Sequence, residues 1–139
     1  MVISINPVKE FIPEWNGNKD MPENERIRVF HKAPTMELVD KLIPKPTIVM
    51  KTGNNGVEGG EMEIVVDNRK FVREMITSIR NLTVDVPDNN GGRTTKLILT
   101  AEELLAPSIP AVLFGLVDEI GAHLQKVLSQ REVNEKNSE

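Results

Sequence analysis

The chain has 139 residues, of which 39% are hydrophobic and 27% charged, so it can build the core of one domain and is not expected to be disordered. Its net charge of −4 argues against a general affinity for nucleic acid or an anionic membrane, because both need clustered Lys and Arg. The sequence has no cysteine, no basic and apolar leader, and no apolar run of roughly 18 residues. The lack of cysteine fits a reducing compartment, and we expect no membrane span, signal peptide or disulfide.

Residues 1–25 are rich in Pro and Asn and predict an extended N-terminal arm that lies outside the main core. Its apolar anchors are Phe11, Ile12 and Trp15, the only tryptophan of the chain. An arm that cannot bury a tryptophan locally must lay it on its own domain or on a neighbouring chain. The sequence leaves both alternatives open.

Residues 26–130 predict one α+β domain. The alternating segment RIRVFHK (26–32) indicates a strand with Ile27, Val29 and His31 on one face. Thr35 is placed to cap a short helix over residues 36–43. The apolar side of that helix is expected to hold Met36, Val39, Leu42 and Ile43.

Two strands are expected at residues 47–52 and 61–66, flanking the glycine-rich loop GNNGVEGG. The i, i+3, i+4, i+7 spacing in residues 68–82 predicts a helix, capped by Asp67 or Asn68. Its apolar residues are Phe71, Val72, Met75, Ile76, Ile79 and Leu82.

Residues 83–86 and 95–100 predict a hairpin in which Val84 and Val86 share a face with Leu97 and Leu99. The segment Thr100-Ala-Glu-Glu103 is a capping box that opens a short helix.

After Pro107, Ser108 is placed to cap a long helix, and residues 131–139 form a polar C-terminal tail. The apolar stripe of the long helix contains Ile109, Val112, Leu113, Leu116, Ile120, Leu124 and Val127. Separate runs of strands and helices favour α+β over α/β.

Known chemical motifs are not matched. GNNGVEGG lacks the Gly-Lys-Ser/Thr ending of a phosphate loop, and DVPDNNGG lacks the glutamate that closes a calcium loop. His31 and His123 are far apart in sequence and outside any zinc motif. Neighbouring carboxylates such as Asp118 and Glu119 point in different directions on a helix. We therefore expect no enzyme activity, cofactor or metal.

Gly115 and Gly121 lie within the predicted long helix, where each costs about 1 kcal/mol relative to alanine. Glycine there permits the close approach of another backbone, and simple tolerance is an equal explanation. If the glycines are functional, the neighbouring apolar residues form a groove for a partner helix. That groove would consist of Leu113, Leu116, Val117 and Ile120.

The order of elements is similar to that of a known family. A strand ending in KAPT precedes a short helix, the phrase ITSIRNLTVDV leads into a glycine-bearing polar loop, and LTAEELL precedes a helix rich in Leu. Over residues 26–128 this arrangement resembles the small tail assembly chaperones of long-tailed bacteriophages. Members of that family often carry a Gly-Trp phrase where this chain has residues 80–82.

The resemblance implies a non-enzymatic protein of the host cell cytoplasm that binds tape-measure or tail-tube proteins during assembly. A second hypothesis is a structural subunit of a phage particle, whose arm straps a neighbouring subunit through Phe11 and Trp15. A third is a small regulatory or enzyme-accessory domain. The partners are expected to be proteins, with a homo-oligomer possible, and not nucleic acid or membrane.

Overall fold

A computed structural model describes the backbone of residues 1–4, 6–43, 47–53, 56–63 and 67–137, and the side chains of residues 1–4, 6–43 and 67–129. Together these residues form one small α+β domain, as predicted. The helices are α1 (Met36–Leu42), α2 (Asn68–Met75), α3 (Ala101–Leu104) and α4 (Phe114–Asn137). The strands are β1 (Val8–Phe11), β2 (Arg28–Lys32), β3 (Thr47–Gly53), β4 (Gly56–Glu63), β5 (Ile76–Arg80), β6 (Leu82–Pro87) and β7 (Arg93–Ile98).

All strand pairs are antiparallel. The three-stranded sheet has the order β1-β2-β5, and β3–β4 and β6–β7 are separate two-stranded hairpins. Helices α2 and α4 pack together, and the aliphatic core lies between them and the strands. Its fully enclosed side chains include Val72, Met75, Leu116, Ile120 and Leu124.

Strand β2 confirms the predicted alternation, since Val29 and His31 are buried and Lys32 is exposed. The N-terminal arm, expected outside the core, instead contributes β1 to the sheet by pairing with β2. A 3-10 turn, Trp15–Asp20, follows β1. The side chain of Asn18, buried in this turn, donates to the carbonyls of Pro13 (2.8 Å) and Ile27 (3.1 Å) and accepts from the Ile27 amide. The arm is therefore tied to its own domain.

The helix predicted over residues 68–82 is wrong after Met75. Helix α2 is capped by Asp67, whose carboxylate accepts from the amides of Arg69 and Lys70, and it ends at Met75. The chain then enters β5 without a connecting loop. The β-branched run beginning at Ile76 favours the extended backbone, and β5 hydrogen-bonds to β2.

The β6–β7 hairpin is confirmed, but its predicted buried face is wrong on β7. Val84 lies opposite Lys96, and Ile98 is the β7 residue that is fully buried. Leu97 and Leu99 are about half exposed. A shift of one residue exchanges the two faces of a strand. Ile98 therefore faces the core in place of Leu97 and Leu99.

Two smaller corrections concern α1 and β4. Thr35 caps α1 as predicted, accepting from the Leu38 amide at 3.2 Å. Leu38 is buried, however, while Met36, expected on the apolar side, is 61% exposed. Strand β4 begins at Gly56, so it takes in most of the residues assigned to the glycine-rich loop. Residues 54–55 and 64–66 of that region lie outside the described part of the chain.

Thr100 caps α3, since its hydroxyl oxygen accepts from the Glu103 amide at 3.1 Å. The expected Ser108 cap is wrong: the chain forms a 3-10 turn, Ala111–Leu113, and α4 begins at Phe114. Pro110 lies immediately before that turn and supplies no amide hydrogen for a helix. Helix α4 continues through Asn137, into the predicted tail, and residues 138–139 lie outside the described range.

Candidate protein-binding site

The predicted helix groove is buried inside this chain. Leu113, Leu116, Val117 and Ile120 are each at most 4% exposed and belong to the core cluster. The hypothesis that these four residues form an open groove for a partner helix is therefore wrong. The domain uses these four apolar residues for its own packing.

The two helix glycines are also used within the chain. A Cβ atom at Gly121 would lie 2.4 Å from Cβ and 2.9 Å from Cα of Asn68. One at Gly115 would lie 3.3 Å from Nε1 of Trp15. Gly121 therefore admits the first turn of α2, and Gly115 admits the tryptophan of the N-terminal arm.

Phe11 and Trp15, predicted to bind a partner, lie against α4 of their own chain. The Phe11 ring is stacked on His123 with a centroid distance of 3.8 Å and an interplanar angle of 6°. Trp15 is half-buried beside Gly115. Between them, the Glu14 amide donates to a carboxylate oxygen of Glu119 at 2.7 Å. We call residues 8–20, which make these contacts, the strap.

The two histidines, distant in sequence, meet under the strap. Their ring centroids are 5.7 Å apart in an edge-on arrangement. Nδ1 of His31 lies 2.9 Å from the Lys32 carbonyl oxygen, which makes Nδ1–H the donor of that bond. Burial lowers the pKa of both imidazoles, and nearby positive charge adds to the effect: Lys9 at His31, and His31 and Lys126 at His123. Both rings are therefore neutral at pH 7.

A pocket of about 350 Å³ opens at the C-terminal end of α3, between it and the start of α4. Most of its lining residues are apolar, with one cation and one carboxylate, but polar atoms contribute more of its exposed surface than apolar atoms do. The lining residues are Arg69, Leu104, Leu105, Ala106, Pro107, Ile109, Phe114, Val117 and Asp118. Val117 is the one residue of the predicted groove in this lining, and it is 4% exposed.

The local sequence explains why this pocket forms. The last turn of α3 is closed by the Leu105 amide donating to the Ala101 carbonyl. Proline at 107 and 110 prevents α3 and α4 from joining, so the intervening chain makes tight turns and leaves a recess between the two helices. These residues are the physical origin of the pocket.

Two large apolar side chains near the start of α4 are not buried, and one of them, Phe114, lines the recess. Val112 is 70% exposed and Phe114 is 48% exposed. The Arg69 guanidinium lies over the Phe114 ring, 5.6 Å from its centroid, which is cation–π geometry. Exposed apolar residues grouped around a recess are typical of a surface that binds a protein partner.

The sequence reasoning missed this site. Val112 was assigned to the buried stripe, and Phe114 was not assigned at all. A usable signal was present, since Phe114 lies off the stripe and follows two prolines that interrupt the helix. Apolar residues that cannot join the helical stripe are candidates for exposure.

Within the residues that the structure describes, no three His, Asp or Glu side chains are grouped so that they could hold a metal ion. No helix in the same residues is long and apolar enough to cross a bilayer. Comparison with protein-family models, with curated proteins and with solved structures gives no match to this chain.

Proposed function

We propose that this protein is a non-enzymatic assembly chaperone of phage tail morphogenesis, which binds the tape-measure or tail-tube protein through the pocket between α3 and α4. The observation that supports this proposal best is the position of LTAEELL. This phrase contributes to the resemblance to tail assembly chaperones and contains α3, and Leu104 of α3 and the following Leu105 line the pocket.

The shape of the site suits a helical partner. A tape-measure protein is long and largely helical, and its apolar stripes would aggregate if they were left uncovered. One apolar side chain of such a stripe would enter the pocket and contact Phe114 and Ile109, while Val112 would cover the neighbouring helix turn. Arg69 and Asp118 at the pocket would orient the partner through its polar residues.

Binding at one pocket of this size is expected to be weak. If many copies bind along one tape-measure chain, the repeated contacts raise the overall affinity. Each single copy would still dissociate when the tail tube replaces it. The proposal places the protein in the host cell cytoplasm during assembly.

The test uses tagged protein produced together with its native tail proteins, followed by pull-down and mass spectrometry. Phe114→Glu places a charge in the pocket and should lose the tape-measure or tail-tube protein. Met36→Glu is the matched control, because Met36 is similarly exposed but lies on α1, and this variant should retain the partner. Circular dichroism verifies that both variants are folded. If Phe114→Glu retains the partner, the pocket is not the binding site.

The alternative is a structural subunit of the particle. It requires the strap to leave α4 and dock on a neighbouring subunit, which makes it the less direct hypothesis for a chain whose strap lies on its own helix. Purified particles distinguish the two functions: a structural subunit is present in fixed copy number, whereas a chaperone is absent.

A further inference from the structure

The strap is fixed to α4 through a cluster that contains both histidines of the chain. Phe11 of the strap lies flat on His123 of α4, and His31 of β2 meets the edge of that ring. His31 is almost completely enclosed, with 2% of its surface exposed. Docking of the strap therefore changes the surroundings of both imidazoles.

The charged groups around this cluster are mainly cations. Lys9 on β1 and Lys126 on α4 act on the histidines with positive charge, and Lys32 follows His31 on β2. The β5 residue paired with His31 is the uncharged Ile76.

Two carboxylates in the strap region already have partners. Glu119, one turn before His123 on α4, accepts from the Glu14 amide. Glu10 of β1 belongs to the other face of that strand and pairs with Arg28. Neither carboxylate is among the groups that shift the pKa of His31 or His123.

We propose that acidification releases the strap from α4, because the Phe11–His123–His31 cluster is compatible with docking only while its imidazoles are neutral. A proton on His123 or His31 would place a charge in this enclosed cluster, where the positive charges of Lys9 and Lys126 oppose it. Protons on both rings would add the repulsion of two like charges on rings whose centroids are 5.7 Å apart. Release hydrates both imidazolium groups and removes this repulsion. The proposal does not depend on the pocket or on the proposed function.

Trp15 provides a direct measurement. It is the only tryptophan, the chain has no tyrosine, and it lies in the strap beside Gly115. Between about pH 7.5 and pH 5, the range in which histidine titrates, its emission should shift to the red as the strap leaves α4. Helices α1 to α4 should stay folded, so the far-UV circular dichroism should lose no more than the contribution of the four-residue strand β1 over the same range.

Three variants identify the titrating groups. His123→Phe keeps a ring to stack on Phe11 but removes one site, and His31→Gln with His123→Phe removes both. Release should take up about two protons in the natural chain, about one in the single variant and none in the double variant. Glu119→Gln keeps an acceptor for the Glu14 amide without a titrating carboxylate, and it should behave like the natural chain.

Several outcomes would overturn the proposal. Emission that is independent of pH in the natural chain would show that the strap stays docked. An unchanged transition in the double variant, or its loss in Glu119→Gln, would assign the titration to other groups. Coincident loss of the helical circular dichroism would show that the whole domain unfolds and that the strap is not a separate unit.

Discussion

Gly121 offers the sharpest test of how α2 and α4 pack. In Gly121→Ala, the new Cβ would lie 2.4 Å from Cβ and 2.9 Å from Cα of Asn68, well inside the ~3.5 Å at which carbon atoms normally meet. Neither Asn68 atom can move away by a side-chain rotation, so the first turn of α2 must shift. Such overpacking costs about 3 kcal/mol, and the helix gains about 1 kcal/mol from alanine. The expected net loss of unfolding free energy is about 2 kcal/mol.

Gly115→Ala is the matched control on the same helix. Its Cβ would lie 3.3 Å from the Trp15 ring, a contact that a small movement of the strap relieves. The propensity gain of up to about 1 kcal/mol then makes this variant neutral or more stable.

Urea unfolding of both variants, followed by circular dichroism, gives the two free energies and their difference. If Gly121→Ala is as stable as the natural chain, the close approach of α2 to α4 is not as described, and the reasoning fails. A large loss in Gly115→Ala would refute the account of the strap.

Further variants test other contacts. Asn18→Asp loses two donated hydrogen bonds and turns a carboxylate toward two carbonyls, so it should lose at least about 2 kcal/mol of stability in urea unfolding; no loss would contradict the role of Asn18. Thr100→Ala removes the α3 cap and should cost about 1 kcal/mol in the same assay, whereas Thr100→Ser should not. Leu116→Asp places a charge in the core and should unfold the domain by circular dichroism; a folded variant would mean that this stripe is a surface after all. The hydrogen bond from Lys41 lowers the pKa of Glu74. This pair therefore stabilises the fold at pH values above the ordinary glutamate pKa, and the stabilisation is lost as the pH falls through the lowered pKa. An NMR titration of Lys41→Met should show that the pKa of Glu74 rises.

The predicted helix over residues 68–82 shows how a correct core can come from a wrong element. Ile76 and Ile79 are three residues apart, which fits a helix, and in a regular strand they would face opposite sides. In β5, however, His31 pairs with Ile76 and Phe30 pairs with Ser78, so Thr77 is an extra residue in the ladder. This bulge brings both isoleucines to the core. A β-bulge thus imitates helical spacing, and periodicity alone cannot separate the two.

The other differences arise from long-range contacts that a sequence pattern does not contain. The hairpin, the Thr35 and Thr100 caps and the α+β class depend on local signals and were predicted correctly. The meeting of His31 with His123 depends on how β2 packs on α4, which no spacing in the sequence encodes. The pocket depends in the same way on the path of the chain between two prolines.

The direct passage from α2 into β5 has a consequence for how the gene can be altered. With no loop at Met75 and Ile76, one inserted residue would turn the helix stripe by about 100° or move every β5 side chain to the other face. The exposed turn after Asp88 lies at the end of a hairpin, away from the core. The Asp88 carboxylate holds this turn by accepting from the amides of Asn90 and Gly92. Epitope tags and length variation are therefore expected to be tolerated at that turn and excluded at the junction.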